Sequence, residues 1–305
     1  MSKQFVNVIV NPTAGANSTN RNWPRISSLL KKVGLSFDFQ FTEGKGHAID
    51  LARTASEKGY HSLVAVGGDG TIHEVANGLM QKDSTVKPSL GIICTGTGSD
   101  LSRSIGISHD YSQACHNLAN PREIVIDVGV VKYRNKGQTL QRYFVNSAGI
   151  GFDATVVDAV EKMPKYFGGT IPYLTGLIRS FLFYRNKDVS FKVGDQPVQK
   201  AKILSLVVAN GRYFGGGMHI APQAKLDDNL LDMVILGNFG KFELISNIKK
   251  VYSGTHLTLP KVKLVKDTSI CIESTQKFLL HADGEILGEG PVSFSLLPKA
   301  LTLLA

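Results

Sequence analysis

Residues 62–71, Ser-Leu-Val-Ala-Val-Gly-Gly-Asp-Gly-Thr, lead from an apolar run straight into a helical pattern. Positions 62–66 read as a buried strand, while Ile72, Val75, Ala76 and Leu79 recur at helical spacing. Gly67, Gly68, Asp69, Gly70 and Thr71 therefore fill a strand-to-helix turn. Its three glycines allow positive φ and leave no Cβ above the backbone, so successive N–H groups can converge on an anion at a helix N-terminus. Gly and Asp are also ordinary turn residues. Three glycines, an acid and a hydroxyl within five positions nevertheless favour an anion site, and a nucleotide phosphate is the expected anion.

No GxxxxGK[ST] occurs anywhere in the chain, so no P-loop lysine is available to neutralise phosphates. Asp69 stands in the loop instead. A carboxylate beside phosphates repels them unless a divalent cation lies between or the acid acts as a base, which points to Mg²⁺-assisted phosphoryl chemistry. A second glycine turn, Gly96-Thr97-Gly98-Ser99-Asp100, follows the apolar run 90–93, and a third, Asn11-Pro12-Thr13-Ala14-Gly15, follows the run 5–10. A parallel sheet would bring all three to its carboxyl edge, where open α/β sheets bind ligands.

At 305 residues the chain can build one large or two ordinary domains, and 43% hydrophobic with 19% charged residues excludes disorder. Cys94, Cys115 and Cys271 are too few and scattered for a disulfide framework or a zinc cluster, which suits a cytoplasmic setting. No run reaches the ~20 apolar residues that span a bilayer. Residues 166–184 come nearest but contain Pro172 and Arg179 and are flanked by Lys165, Arg185 and Lys187. They read equally as a core-packed helix or as a segment lying on a membrane surface. A net charge of +9 draws the protein to anionic phospholipid headgroups. It would attract nucleic acid as well, but the cations are dispersed and no nucleic-acid module is recognisable, so that partner is not expected.

The first ~125 residues alternate strand and helix patterns in the manner of a doubly wound, Rossmann-like sheet, with helices expected over 23–33, 47–58, 71–81 and 111–118. Beyond residue 124 short alternating runs dominate, at 142–146, 189–193, 203–208, 231–236, 270–273 and 292–297, with helices expected over 154–162, 171–184 and 242–252. The fold class is therefore α/β, an N-terminal nucleotide-binding domain over 1–127 and a C-terminal β-rich sandwich domain over 128–291, joined by a short crossover near Asp127. One dinucleotide-like motif, Gly149-Ile150-Gly151-Phe152-Asp153-Ala154, lacks the acid expected about 20 residues on, so it reads as a structural turn.

Seven blocks, in order, resemble the catalytic family of the diacylglycerol kinases, specifically the small bacterial lipid kinases related to sphingosine and ceramide kinases. They are the turn Asn11 to Gly15; Thr42 with Gly46-His47-Ala48; Gly67 to Thr71 with His73-Glu74 and Asn77-Gly78; Gly96 to Asp100; Asn146 to Asp153; Pro222 to Asp232; and His281-Ala282-Asp283-Gly284-Glu285. His73 and Ser99 stand where asparagine is common in the family, and both retain hydrogen-bonding capacity.

The resemblance implies an active site in the cleft between the two domains, with 292–305 completing the first. It implies ATP and Mg²⁺ as cofactors, and a nucleotide site built from Asn11, Pro12, Thr13, Ala14, Gly15, Thr42, Gly67, Gly68, Asp69, Gly70, Thr71, Ile72, His73, Glu74, Gly96 and Thr97. It also implies catalytic roles for Asp69 and Asp100 around Mg²⁺, with Asp283 and Glu285 as base and base support in an order left open. Asp283-Gly284 is at the same time a favoured hairpin dipeptide. A structural Mg²⁺ is implied at Lys225, Asp228 and Leu230, where composition alone suggests only a solvated turn. The implied reaction is phosphorylation of a membrane alcohol, diacylglycerol by default, by a peripherally associated protein, and a homodimer is compatible with it. Other lipid alcohols, NAD as acceptor and a catalytically silent sensor are the competing readings.

Overall fold

The computed structural model describes residues 5–81, 87–96, 98–162, 181 and 183–305. Thr97, and the segment 166–184 apart from Phe181, Phe183 and Tyr184, therefore lie outside the described residues. Among those described, no helix is long and apolar enough to cross a membrane. The chain divides into two compact units, Met1–Ile126 with Lys299–Ala305, and Asp127–Pro298. In place of the short crossover expected near Asp127, the chain passes between units within an unbroken strand, β5 (Glu123–Asn135). Asp127 within that strand is fully buried and its polar groups are satisfied: its N–H donates to the Leu226 carbonyl at 2.6 Å and its Oδ2 accepts from the Asn229 amide at 2.7 Å.

In the first unit β1 (Phe5–Val10), β2 (Ser36–Phe41), β3 (Ser62–Gly67) and β4 (Ser89–Cys94) run parallel in the order β4-β3-β1-β2. The end of the last strand, β15 (Glu285–Leu304), adds beside β4 through Leu303 opposite Leu90. Among the described residues, five helices follow the strands: α1 (Ala14–Lys32), α2 (His47–Glu57), α3 (Asp69–Met80), α4 (Asp100–Ile105) and α5 (Tyr111–Ala119). Val6, Val8 and Val10 pack with Trp23, Ile26 and Leu30 of α1 and with Ala114 and Leu118 of α5. Alternate side chains of a strand face opposite ways, so Ile9, Leu63 and Ala65 point to the other face and are fully buried.

The helix expected from Trp23 starts earlier, which leaves Pro24 inside it. Gly15, Ala16 and Asn17 take left-handed φ/ψ at its head, and the polar stretch Ser18 to Asn22 hid the helical turn that follows. Its helical role is fixed by side chains that reach Thr95: Ser18 Oγ donates to the Thr95 carbonyl at 2.9 Å, and Thr19, fully buried, shares a short hydrogen bond with the Thr95 hydroxyl.

The second unit is β-rich. β6 (Gln138–Phe144) pairs with β5, and β7 (Ser147–Gly151), β10 (Ser205–Ala209), β11 (Leu231–Leu236), β12 (Val262–Asp267) and β14 (Leu279–Ala282) assemble in the order β12-β11-β10-β7-β14-β15. β13 (Ser269–Glu273) joins β15 to β8 (Lys187–Val193), which pairs with β9 (Gln199–Ile203). Leu206 and Val208 of β10 enter one core with Met233, Ile270 and Phe294, while Val207 and Ala209 enter a second with Ile220, Phe239 and Val251. A strand buried on both faces shows no polar alternation, so β10, buried throughout, departs from the alternation expected over 203–208. The unit also carries α6 (Phe152–Glu161) and α7 (Lys241–Ser253).

His256 is fully buried beneath α7, with Nε2 3.0 Å from the Ile220 carbonyl oxygen. Burial holds its pKa below the ordinary 6.5, and His219, stacked on Tyr213, is lowered for the same reason. A histidine with a depressed folded-state pKa stays neutral in the fold, whereas the unfolded chain takes up a proton as pH falls through about 6.5. This contribution to stability is therefore complete above that pH and lost below it. Urea unfolding at pH 7.5 and 5.5 is expected to show a smaller acid-induced loss in His256→Gln than in the parent; equal losses would place the acid sensitivity elsewhere.

Candidate active site

The register of the first unit decides which loops meet. Val10 lies opposite both Phe41 and Val66, and Gly67 lies opposite Cys94, so four strands end level with one another. The ladder continues one bond beyond them: the amides of Asn11, Thr42 and Thr95 donate to the carbonyls of Val66, Val10 and Gly67, each at 2.9 Å. The three glycine turns and Thr42 thus leave the sheet side by side.

Asn11 ties two of these turns together. Its Nδ2 donates to Thr71 Oγ1 at 3.0 Å, and its Oδ1 accepts from the amide and hydroxyl of Thr13. The turn from Gly67 to Thr71 and the turn from Gly96 to Asp100 abut through bare backbone. A Cβ on Gly96 would come 2.7 Å from the Gly68 Cα, and one on Gly98 would come 2.5 Å from Asp69 Oδ2. Gly70 heads α3 with nothing within 4 Å of where its Cβ would stand. The leading amides of a helix lack intrahelical acceptors and carry the positive end of its dipole, so this surface suits a phosphate group.

The two acids of these turns are joined. Asp69 Oδ1 accepts the Asp100 amide at 3.0 Å, which caps α4, and Asp100 Oδ1 lies 3.0 Å from Arg103 Nη1. Asp69 remains half-buried while Asp100 is buried. The charge of Asp69 contributes to raising the Cys94 thiol pKa, behind the larger effect of burial, so that cysteine stays an unreactive thiol.

The side chains of three members of the expected nucleotide set make contacts within the protein. The side chains of Ile72 and His73 are turned into the core, each 1% exposed, because they fall on the inner face of α3. The Glu74 carboxylate accepts the amides of Gly46 at 2.8 Å and Ala48 at 3.2 Å. It therefore caps α2 and fixes the loop after Thr42, where a negative charge also meets the positive end of the helix dipole. Pro12, Thr13, Ala14 and Gly15 form the turn after Asn11, and Gly15 takes φ +58° against the Thr95 carbonyl.

In the second unit, Asp283 and Gly284 form the two-residue hairpin turn between β14 and β15, both with positive φ, 46° and 82°. The Asp283 carboxylate accepts three successive amides: Val145 on Oδ2 at 2.8 Å, and Asn146 and Ser147 on Oδ1 at 3.0 and 2.8 Å. Glu285 Oε2 pairs with Arg142 Nη2 at 2.6 Å, both side chains being mostly buried. Arg142, partner of the candidate residue Glu285, carries no mark in the sequence, where it lies in an ordinary alternating strand. The dinucleotide-like turn is filled by its own residues. Asp153 Oδ2 is 3.1 Å from His281 Nε2, and Asp153 Oδ1 accepts from Ser205 Oγ at 3.2 Å. The Asp153 carboxylate lies where a Gly149 Cβ would be, leaving no room for a pyrophosphate.

The acidic turn Asp227-Asp228-Asn229 is stabilised internally. Asp228 Oδ1 accepts the Leu230 amide at 3.2 Å, and Lys266 Nζ sits 3.1 Å from Oδ1 of the buried Asp232. Burial raises the Asp232 pKa against the opposing pull of Lys266. No group of three or more His, Cys, Asp or Glu among the described residues is arranged to hold a metal ion.

Comparison with known proteins follows the same division of the chain. Residues 6–131 match the diacylglycerol kinase catalytic domain, and residues 146–305 match the YegS C-terminal NAD kinase beta sandwich-like domain. A Bacillus subtilis protein assigned as a lipid kinase, YtlR, is 31% identical, with 97% of each chain covered. A diacylglycerol kinase of Staphylococcus carnosus is 27% identical over 94% of this chain and 90% of its own. A crystal structure assigned as a diacylglycerol kinase from Bacillus anthracis superposes with a TM-score of 0.80, covering 100% of this chain and 96% of that one at 24% identity, which establishes the shared fold.

Proposed function

The chain belongs to the diacylglycerol kinase family of lipid kinases, and we propose that it transfers the terminal phosphoryl group of ATP, with Mg²⁺, to the hydroxyl of a membrane lipid, diacylglycerol being the first candidate. The observation that carries this reading is the side-chain-free contact of Gly68 with Gly96 at the carboxyl ends of parallel strands, with Asp69 beside it. Such a surface lets backbone amides approach a polyphosphate closely. When bound, ATP supplies the phosphoryl group, and Mg²⁺ neutralises the charge that phosphates and carboxylates would otherwise oppose.

The remaining work falls to the protein. Gly68, Gly70 and the head of α3 hold the phosphates, Asn11 and Thr71 keep two turns in register, and Asp69 and Asp100 present the carboxylates that an ion would bridge. Asp283, fixed by three amides, takes the proton of the acceptor alcohol, and Glu285 with Arg142 orients that turn. The same reading includes a structural Mg²⁺ on Asp228 and the main chain at Lys225 and Leu230, and peripheral membrane association.

Purified protein with labelled ATP and Mg²⁺ in mixed micelles is expected to phosphorylate at least one of diacylglycerol, monoacylglycerol, phosphatidylglycerol and a sphingoid base. No labelled lipid across that panel would reject the proposal, and phosphorylation of NAD in its place would transfer the reading to a nucleotide kinase.

A further inference from the structure

α7 presents an apolar stripe to solvent on the side away from its own core contacts. At 100° per residue, Leu244, Asn247 and Val251 share the inward side, and Leu244 and Val251 pack in the core with Val234 and Phe239. The outward arc carries Phe242, 88% exposed, Ile245, 56%, Tyr252, 51%, and Ile248, 38%. An isolated exposed apolar residue needs no explanation, but four at i, i+3, i+6 and i+10 on one arc form a continuous strip about 15 Å long.

The charges on that arc have one sign. Lys241 and Lys249 are exposed on that arc, which carries no acid, while Lys250 lies seven residues from Glu243 on the other flank. The sole acid of the helix, Glu243, sits on the inner flank and pairs with Lys261 at 2.6 Å. Capping holds the helix rigidly at both ends, by the Glu243 carboxylate on the Gly240 amide and by Gly254 in a left-handed conformation.

We propose that the outward face of α7 is the surface by which the protein lies on an anionic phospholipid bilayer, its aromatic and aliphatic side chains inserted at the headgroup boundary and its lysines against the headgroups. This rests on the lipid-kinase reading, which requires access to a membrane substrate, but the surface itself is read from α7. A 13-residue helix of this kind is far too short to span and has the composition of one that lies in the interface plane. Charge complementarity selects the bilayer over a second copy of the chain. Two-fold packing of this face on itself would set Lys241 and Lys249 against their own counterparts, whereas anionic headgroups attract each lysine.

The test uses the full chain and vesicles of phosphatidylcholine alone or with about 30 mol% phosphatidylglycerol. The protein is expected to sediment with the anionic vesicles, and the binding is expected to fall as salt rises. Changing Phe242, Ile245 and Tyr252 together to Ser is expected to lower the partition coefficient at least tenfold while leaving phosphorylation of a short-chain, water-dispersed lipid intact. These residues are exposed, so the variant should keep the parent's unfolding transition. A second variant, Phe242→Trp, reports directly, because the single native tryptophan, Trp23, is only 7% exposed. Its emission should shift to the blue on anionic vesicles and not on neutral ones.

Unchanged partitioning of the triple variant, a Phe242→Trp emission that ignores vesicles to which the protein binds, or no vesicle binding by the parent would each overturn the proposal. A triple variant that loses only self-association would reassign α7 to a protein interface. Absence of lipid phosphorylation by the parent would reject the kinase reading and leave the vesicle result to judge α7 alone.

Discussion

Asp283→Asn is expected to fold with the parent's hairpin and to lose between two and four orders of magnitude in phosphoryl transfer, the range that removal of a positioned general base commonly costs, about 10²- to 10⁴-fold. The hairpin should survive because Asn tolerates the left-handed conformation that position 283 adopts, and Asn-Gly is itself a favoured two-residue turn. Stability should nevertheless fall by about 1–3 kcal/mol, since the new amide group must face at least one of the three N–H donors that the carboxylate now accepts. A purely structural Asp283 would lose stability in the same way but keep its turnover once folded. Turnover of the folded fraction, measured across pH, separates the two roles. A variant retaining a third or more of the parent's kcat, with an unaltered pH profile, would make Asp283 an anchor only.

Gly96→Ala is expected to raise the KM for ATP at least tenfold and to destabilise the first unit by about 1–3 kcal/mol, the usual cost of forcing extra volume into a packed site. The 2.7 Å approach to Gly68 involves backbone on both sides, so relief requires the two phosphate-facing turns to separate. Gly70→Ala makes an informative companion, because a Cβ there meets no protein atom. Its stability should match the parent's to within the normal helix-propensity change of about 1 kcal/mol, yet ATP use should suffer if phosphates occupy that space. Urea unfolding with ATP-dependence measured on both variants checks this. If Gly96→Ala leaves the KM for ATP unchanged, the glycine contact serves packing alone.

Local pattern revealed much of the frame. The strands β1, β3 and β4 are short apolar runs ending in glycine or asparagine turns, and a parallel sheet necessarily aligns their ends, so the position of the three loops followed from the sequence. Contacts far apart in sequence were not legible. Glu74 lies 28 residues from the Gly46 amide that it caps, and Arg142 lies 143 residues from Glu285. Neither partner leaves a spacing signal that distinguishes it from any other surface charge. The apolar pattern predicts a strand only over 292–297, because Gly288, Gly290 and Pro291 interrupt it, yet β15 extends over Glu285–Leu304. There the missing local preference is supplied by pairing on both sides, with β14, β13 and the end of β4. The exposed stripe of α7 was equally hidden, since periodicity reports that a helix is amphipathic and not which apolar side chains its neighbours cover.

The central claim is that glycine turns at aligned strand ends bind the phosphates of ATP. Calorimetric titration of ATP into the full chain, with and without Mg²⁺, tests it most directly. The account predicts saturable one-site uptake that strengthens with Mg²⁺ and weakens at least tenfold in Gly96→Ala. Absence of uptake by the parent protein, or uptake indifferent both to Mg²⁺ and to that substitution, would contradict it.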